Sequence, residues 1–443
     1  MCVFISRIVT RLARRMARRP APFLFLCGLL TTVAVASAAQ TEAPLSLAEA
    51  LRLAEARSPQ LASAEYAATA ARERAVASSQ LPDPVLRLGV DNLPINGTDA
   101  WSLTADFMTM RRVGVMQEFP DSEKRSLRRQ RGDVEAEREL AVRDAARSTL
   151  RQDVAVAWFD RFYAYRIADL WKAMAADLQL QATTLESGIA SGRNSAADLR
   201  STQALAVQSD DQIAASLQQA RISEQMLARW LGKDATRAQG PMPDMSTVLF
   251  DPAAPAPLAA HAQLIVLQQD NLLAQNELRL AERAGTPDWS VEVAYQQRGP
   301  AYSNMVSIGV NIPLPLFPRE RQDRGVAASQ ARLAQAETLL EDARQQRQAD
   351  LSASYEEWHS LRTRVQSLRT ALLPLADDRV AQLVAAYGGG SATLAQVLEA
   401  RRAAIDARMQ VLLLERDTAR TWAKLNFQLI DPAANVRVAK DAP

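Results

Sequence analysis

The chain has 443 residues, 48% of them apolar and 23% charged, with a formal net charge of +2. Six arginines (Arg7, Arg11, Arg14, Arg15, Arg18 and Arg19) stand ahead of an apolar run from Ala21 to Ala36. Setting them aside turns +2 into −4, a balance that argues against a nucleic-acid partner. Cys2 and Cys27 lie in the same opening stretch, so the remainder has no thiol for a disulfide, a thiolate metal site or a nucleophile.

Taken in chain order, the basic segment, the apolar run and Ala36-Ser37-Ala38 have the layout of a Sec-type secretory signal, cut near Ala38 or Ala39. Residues 1–39 are read as that signal, with Met16 a possible start. Leu26 ahead of Cys27 does not favour lipidation. Beyond it no apolar run reaches the ~20 residues of a spanning helix, so a membrane crossing would have to use strands.

Helical periodicity begins at Leu45-Ser46-Leu47, with Ser46 and Glu49 spaced as a capping box. It runs, apart from Pro59, to about Gln80, where Pro82 and Pro84 stop it. Val85 to Asp91 alternates as a strand, with Leu86, Leu88 and Val90 on one face. The stretch from Asn92 to Met110 is loop-like, with a possible strand start near Trp101. Arg111 to Phe119 is a second strand. From Pro120, which suits a first helical turn, one unbroken helical pattern runs to about Ser187. Its stripe is Leu150, Val154, Trp158, Phe162, Tyr165, Leu170, Met174 and Leu178. Gly188 to Ser195 breaks it, and Asn194 to Leu231 returns as another helix. Residues 232–258 hold five prolines and read as a connector.

The same plan then repeats about 200 residues later. After a helical segment, Val291, Val293 and Tyr295 alternate on a third strand, and Val306, Ile308, Val310 and Ile312 on a fourth. A long helix follows from Pro318 to about Tyr387, with Val326, Leu333 and Leu340 at heptad spacing and Pro374 placed to kink it. Gly388 to Ser391 is a second break, and Thr393 to Ile430 a second return helix. Pro82-Asp83-Pro84 is echoed by Pro287-Asp288-Trp289, and Gly114 through Pro120 by Gly309 through Pro318. The organisation is therefore a signal (1–39), a first repeat (40–231), a connector (232–258), a second repeat (259–430) and a polar tail (431–443). Each repeat is helix, two strands and a long helical hairpin, a duplicated half-domain.

Helices of some 65 residues make rods near ~100 Å, which no compact domain of this size needs. Four strands cannot close a barrel, and an open edge in lipid is prohibitive. If the strands lie in lipid, several chains must pool them, and three would supply twelve. A half-buried soluble sheet on a coiled-coil scaffold is the competing interpretation.

The Leu-Ser-Leu-Ala-Glu-Ala-Leu opening at Leu45, the strand-to-helix junctions at Gly114–Pro120 and Gly309–Pro318, and the hairpin ends at Gly188–Leu199 and Tyr387–Leu398 resemble the TolC-type outer-membrane efflux channels. The stretches Asn92-Leu93-Pro94, Asp106-Phe107-Met108-Thr109-Met110 and Leu372-Leu373-Pro374 are similar to the heavy-metal branch. The resemblance implies a mainly α fold with a small β part: a homotrimer in which four strands per chain build a twelve-stranded outer-membrane barrel, continuous with a periplasmic α-helical barrel. It implies outer-membrane lipid, a periplasmic adapter (a membrane fusion protein) and an inner-membrane efflux pump as partners. It also implies a passive duct, with no cofactor and no catalysis, carrying heavy-metal cations such as copper, zinc or cobalt. A drug-efflux or type I protein-secretion duct is the alternative within the family, and a periplasmic adapter or scaffold the alternative outside it.

By the same resemblance, acidic rings at the periplasmic entrance map to Asp198 in the first repeat and to Gln396 and Glu399 in the second, with Tyr387 as the tip tyrosine. Gln396 departs from the expected carboxylate. Met108, Met110 and Met116, soft thioethers toward the outer mouth, are candidate transient contacts for Cu(I), against a simpler role in packing. Trp101, Phe107, Trp289, Tyr295 and Tyr302 are candidates for an aromatic girdle. His261 and His359, one per repeat, are too far apart in sequence to suggest a metal pair, and no Ser-His-Asp set, phosphate loop or metal cluster is visible.

Overall fold

A computed structural model describes residues 44–190, 195–248 and 256–430. The signal, the polar tail, Gly192 and part of the connector lie outside the described residues.

The chain enters through two short helices, α1 (Leu47–Arg57) and α2 (Pro59–Ser79). Both halves of the Ser46–Glu49 capping box form: the Ser46 amide donates to Glu49 Oε2 at 3.1 Å, and the Glu49 amide to Ser46 Oγ at 3.3 Å. Pro59 stands at the start of α2, where a missing N–H costs nothing.

Strands β1 (Val85–Asp91), β2 (Met110–Phe119), β3 (Trp289–Gln297) and β4 (Met305–Asn311) form one antiparallel sheet in chain order. The β2–β3 pairing joins the two halves of the chain. The sequence suggested a strand start near Trp101; the structure has a turn instead. Trp101 sits at φ 62° and its amide donates to the Pro94 carbonyl at 2.8 Å.

Two rods leave the sheet. The first, α3 (Ser122–Ala190), is 69 residues long, about 100 Å at the usual rise. Pro120 lies ahead of its first turn rather than in it. Asp121 is the cap, its Oδ1 accepting from the amides of Glu123 and Lys124 at 3.0 and 3.1 Å. The return helix is α4 (Ala196–Leu231). A 3-10 segment (Gly232–Arg237) opens the connector, and α5 (Ala256–Ala259) and α6 (Ala262–Arg283) lead to β3.

The second rod is not continuous. Pro318 begins a single 3-10 turn, and α7 spans Gln322–Ser367. A π-helical turn occupies Leu368–Leu372, then α8 (Leu373–Gly388) completes the arm. The expected kink at Pro374 thus takes the form of a widened turn just before it. The Leu373 amide donates to Leu368 O, one residue farther back than in an α-helix. Widening moves the carbonyl four residues back away from the pyrrolidine ring. The return helix is α9 (Leu394–Phe427).

The main core lies midway along the rods, where α1, α3, α4 and α9 converge. Trp158 and Phe159 of α3 are fully buried there, with Leu150, Val154, Leu227, Leu231, Ala419 and Ala423. The expected stripe is correct at Leu150, Val154, Trp158, Met174 and Leu178. Tyr163, rather than Tyr165, is the deeply buried tyrosine. The connector crosses this region as a strap: Trp422 Nε1 donates to Thr247 O at 2.9 Å. Buried Arg161 donates to Ala238 O at 2.7 Å and Thr236 O at 2.6 Å, with Glu224 at 3.3 Å completing its partners.

Candidate functional site

The sheet register sorts every strand residue onto one of two faces. One face reads across the strands as Leu86–Val115–Val293–Ile308 and Leu88–Val113–Tyr295–Val306. All eight are exposed, Leu88 by 69% and Ile308 by 73%. The other face carries Arg87, Asp91, Arg112, Glu118, Glu292 and Ser307, interspersed with Gly89, Gly114, Ala294 and Gly309. A face with a continuous apolar centre, flanked toward the strand ends by Arg111, Gln117 and Gln297, backed by a face of small and charged residues is the pattern of a sheet between lipid and water. Seven residues of β1 or β4 span about 23 Å, close to the ~25 Å apolar band of membrane barrels. Strands β1 and β4 each present an unpaired edge within the chain. No described helix is long and apolar enough to cross a membrane.

Aromatic side chains stand at both ends of the sheet. Phe119 and Trp289 stack at 4.5 Å where the strands meet the rods. Trp101, Phe107 and Tyr302 are exposed at the far end, and Arg298 lies over the Tyr302 ring at 5.0 Å. Tyr295 belongs to the apolar face.

At the junction of sheet and rods, Asp288 holds the two halves together. It accepts from the Asp121 amide and from Lys124 Nζ, both at 3.0 Å. Burial alone would raise its pKa, but the Asp121 amide and the Lys124 ammonium outweigh it and hold the carboxyl below the usual range.

At the opposite end of the rods the two hairpin tips share one apolar cluster. Met174, Leu178 and Leu185 of α3 pack on Leu394, Leu398 and Ile405 of α9, and Leu199 and Tyr387 join them. Tyr387 is half-buried in this cluster. Gly390, at φ 76°, ends α8 with a left-handed residue that lets the Ser391 amide reach back to Ala386 O at 2.9 Å.

The residues that the sequence suggested for the entrance fall into different structural roles. Ser195 caps α4 and Thr393 caps α9, so Asp198 and Gln396 occupy the same third helical position in the two repeats. Gln396 is committed to a capping box: its Oε1 accepts from the Thr393 amide at 2.8 Å and hydroxyl at 3.2 Å. Asp198 is half-buried, and its carboxylate has no side-chain partner among the described residues. Glu399 is exposed and lies 3.8 Å from Arg379 on α8.

The three methionines do not converge. Met108 is an exposed loop residue, and Met110 opens β2 opposite Asp91. Met116 lies six residues along the strand, about 20 Å away, with its sulfur 3.1 Å from Arg87 Nη2. A guanidinium at that distance repels a metal cation. No cluster of His, Cys, Asp and Glu with metal-ligand geometry occurs among the described residues.

Reasoning from the sequence missed the charge network on the small-residue face. Arg87 Nη1 meets Glu292 Oε2 at 2.9 Å, Arg112 Nη1 lies 3.7 Å from Glu292 Oε1, and Arg112 Nε is 3.3 Å from Asp91 Oδ2. Arg87 and Asp91 share a face by simple alternation, so half of it was readable. Glu292 is 205 residues from Arg87, and nothing local announces that pairing.

Residues 257–429 match the family model described as outer membrane efflux protein. The cobalt-zinc-cadmium resistance protein CzcC of Cupriavidus metallidurans is 27% identical over 295 residues, covering 62% of this chain and 68% of that protein. The outer membrane protein VceC of Vibrio cholerae shares the fold with a TM-score of 0.70 at 18% identity, over 86% of this chain and 95% of VceC. CusC, whose crystal structures are described in terms of transmembrane channel formation, aligns with a TM-score of 0.68 at 17% identity, over 86% and 91%.

Proposed function

We propose that this chain, whose residues 257–429 match the outer membrane efflux protein family, is the passive outer-membrane exit duct of a tripartite efflux system. In this reading three copies pool their strands into a twelve-stranded barrel, and the rods form a periplasmic tube that meets an adapter and an inner-membrane pump. The observation that carries it is the sheet: four strands with open edges and a continuous exposed aliphatic face. In water such a face and such edges would aggregate. In lipid the face is satisfied, and copies of the chain close the edges.

The rods support the same closure. Helix α3 packs on α4 and α9, and α9 on α8, which leaves α4 and α8 as the outer members of the row. Both flanks carry exposed apolar side chains, including Val207, Ile222 and Met226 on α4 and Leu375 and Val384 on α8. Neighbouring copies cover these surfaces in a ring.

The cargo we assign is a heavy-metal cation. Its support is the similarity to CzcC, a cobalt-zinc-cadmium resistance protein, together with the loop and Leu372-Leu373-Pro374 stretches noted above. Fractionation tests the duct: we expect outer-membrane recovery, a detergent-stable trimer and heat-modifiable migration, and a soluble periplasmic monomer would sink it. Deleting the gene tests the cargo. Growth should fall in cobalt, zinc or copper, whereas unchanged metal tolerance with new antibiotic sensitivity would assign a drug duct instead.

A further inference from the structure

The small-residue face of the sheet carries five charged side chains: Glu118 stands apart at the rod end of β2, and the other four make one network that no helix, cap or core requires. We propose that Arg87, Arg112, Asp91 and Glu292 form an ion-selectivity belt on the inner wall of the barrel, with Glu292 as the counter-ion that sets its sign. The proposal rests on the duct reading, since it needs this face to line the lumen.

Geometry places the four groups in one zigzag across three strands. Arg87 of β1 is paired in register with Gly114 of β2, and Gly114 with Ala294 of β3. Arg87 therefore crosses an entire strand to reach Glu292, and it does so above a residue with no side chain. A Cβ at Gly114 would lie 2.9 Å from the Ala294 Cβ, so that place in the wall is held open by close packing. Arg112 likewise lies over Gly89, where a Cβ would be 3.9 Å from its Nη2. Both guanidiniums thus lie along the wall rather than standing out from it.

Glu292 is the keystone. Its side chain is only 15% exposed, the least of the four, and it faces both arginines, whereas Asp91 reaches Arg112 alone. Two cations and two carboxylates cancel within each chain. Three copies would bring six guanidiniums and six carboxylates to one band of the tube, about 20 Å tall between the Asp91 and Glu292 backbones. Rings of fixed charge act on permeant ions through their net sign. A balanced belt passes either sign, and removing one partner exposes three like charges at once.

The test is the reversal potential of the purified trimer in planar bilayers under a low-salt potassium chloride gradient, where screening is weak. Glu292→Gln keeps size and shape and adds one net positive charge per chain. Its reversal potential should move toward the chloride equilibrium potential. Arg87→Gln removes one positive charge and should move it toward the potassium potential. Opposite shifts are the signature of charge at the lumen wall, because loosened strand packing would not reverse with the sign of the substitution. Conducting channels with unchanged selectivity in both variants would overturn this proposal alone. If the unmodified protein forms no channels, the duct reading fails and the belt fails with it.

Discussion

Asp198 and Gln396 show how two residues at equivalent positions diverge in role. Gln396 is spent on its cap: both acceptor contacts of Oε1 go to Thr393. Asp198 has no such duty, because the Ser195 hydroxyl accepts from the Ala197 amide instead. Asp198→Ala should therefore raise single-channel conductance or weaken block by divalent cations in bilayers. Gln396→Ala should leave conductance alone and destabilise the start of α9 by about 1 kcal/mol, seen as a lower melting midpoint. Thr393-x-x-Gln396 is itself a readable capping box, so this role was legible in the sequence. Arg379 opposite Glu399 was not, because the tip turn brings them together. His261 makes a second residue-scale case. Burial, then the nearby Arg347, push its pKa below the ordinary 6.5, against the opposing effects of Gln428 and Asp350. The fold thus holds the neutral imidazole. Its contribution is whole above pH 6.5 and is lost as pH falls through the depressed folded value. Melting midpoints should drop on acidification below pH 6.5, and the isosteric-in-polarity His261→Gln should flatten that part of the profile.

At the scale of elements, the second arm differs from the first in a way that proline dictates. Helix α3 runs through 69 residues and buries a stripe along much of its length. Helix α8 buries no residue; apart from Tyr387 in the tip cluster it meets α9 through exposed pairs, Asp377–Arg408 at 2.6 Å and Arg379–Glu399 at 3.8 Å, with Arg369–Glu415 at 2.8 Å from the π turn just ahead of it. Exposed pairs of this kind are weak individually, so their geometry depends on how α8 is turned. The π turn sets that phase. One extra residue in a turn rotates everything after it by about 100°. Pro374→Ala removes the steric reason for the widened turn, and an α-helical register there would carry Asp377 away from Arg408. Cysteines introduced as Asp377→Cys with Arg408→Cys should be bridged readily by a short bifunctional thiol reagent when Pro374 is present. They should be bridged much more slowly with Pro374→Ala, and equal rates would show that the π turn persists without the proline. The rods and strands themselves were legible, because periods of 2 and 3.6 are local properties. The π turn was not: a proline announces a disturbance, but which carbonyl yields depends on the packing of the whole arm.

At the scale of the whole molecule, the missing pieces are those that one chain does not contain. Sequence alternation placed Leu86, Leu88, Val306 and Ile308 on strands, yet only the register shows that they align across the sheet as one face. That face decides between a soluble sheet and a barrel segment, and a single strand tests it. Ile308 and Ser307 are neighbours on β4 and point to opposite faces. Ile308→Lys puts a charge on the aliphatic face, which costs roughly 2–4 kcal/mol near the bilayer midplane. Ser307→Lys puts the same charge on the small-residue face, where water solvates it. A barrel predicts a sharp asymmetry: Ile308→Lys should lower the temperature at which the detergent-purified trimer dissociates and reduce its yield in the outer membrane, while Ser307→Lys should leave both close to the unmodified protein. A soluble sheet predicts the reverse order, because a lysine on an exposed apolar face would then relieve aggregation rather than create a buried charge.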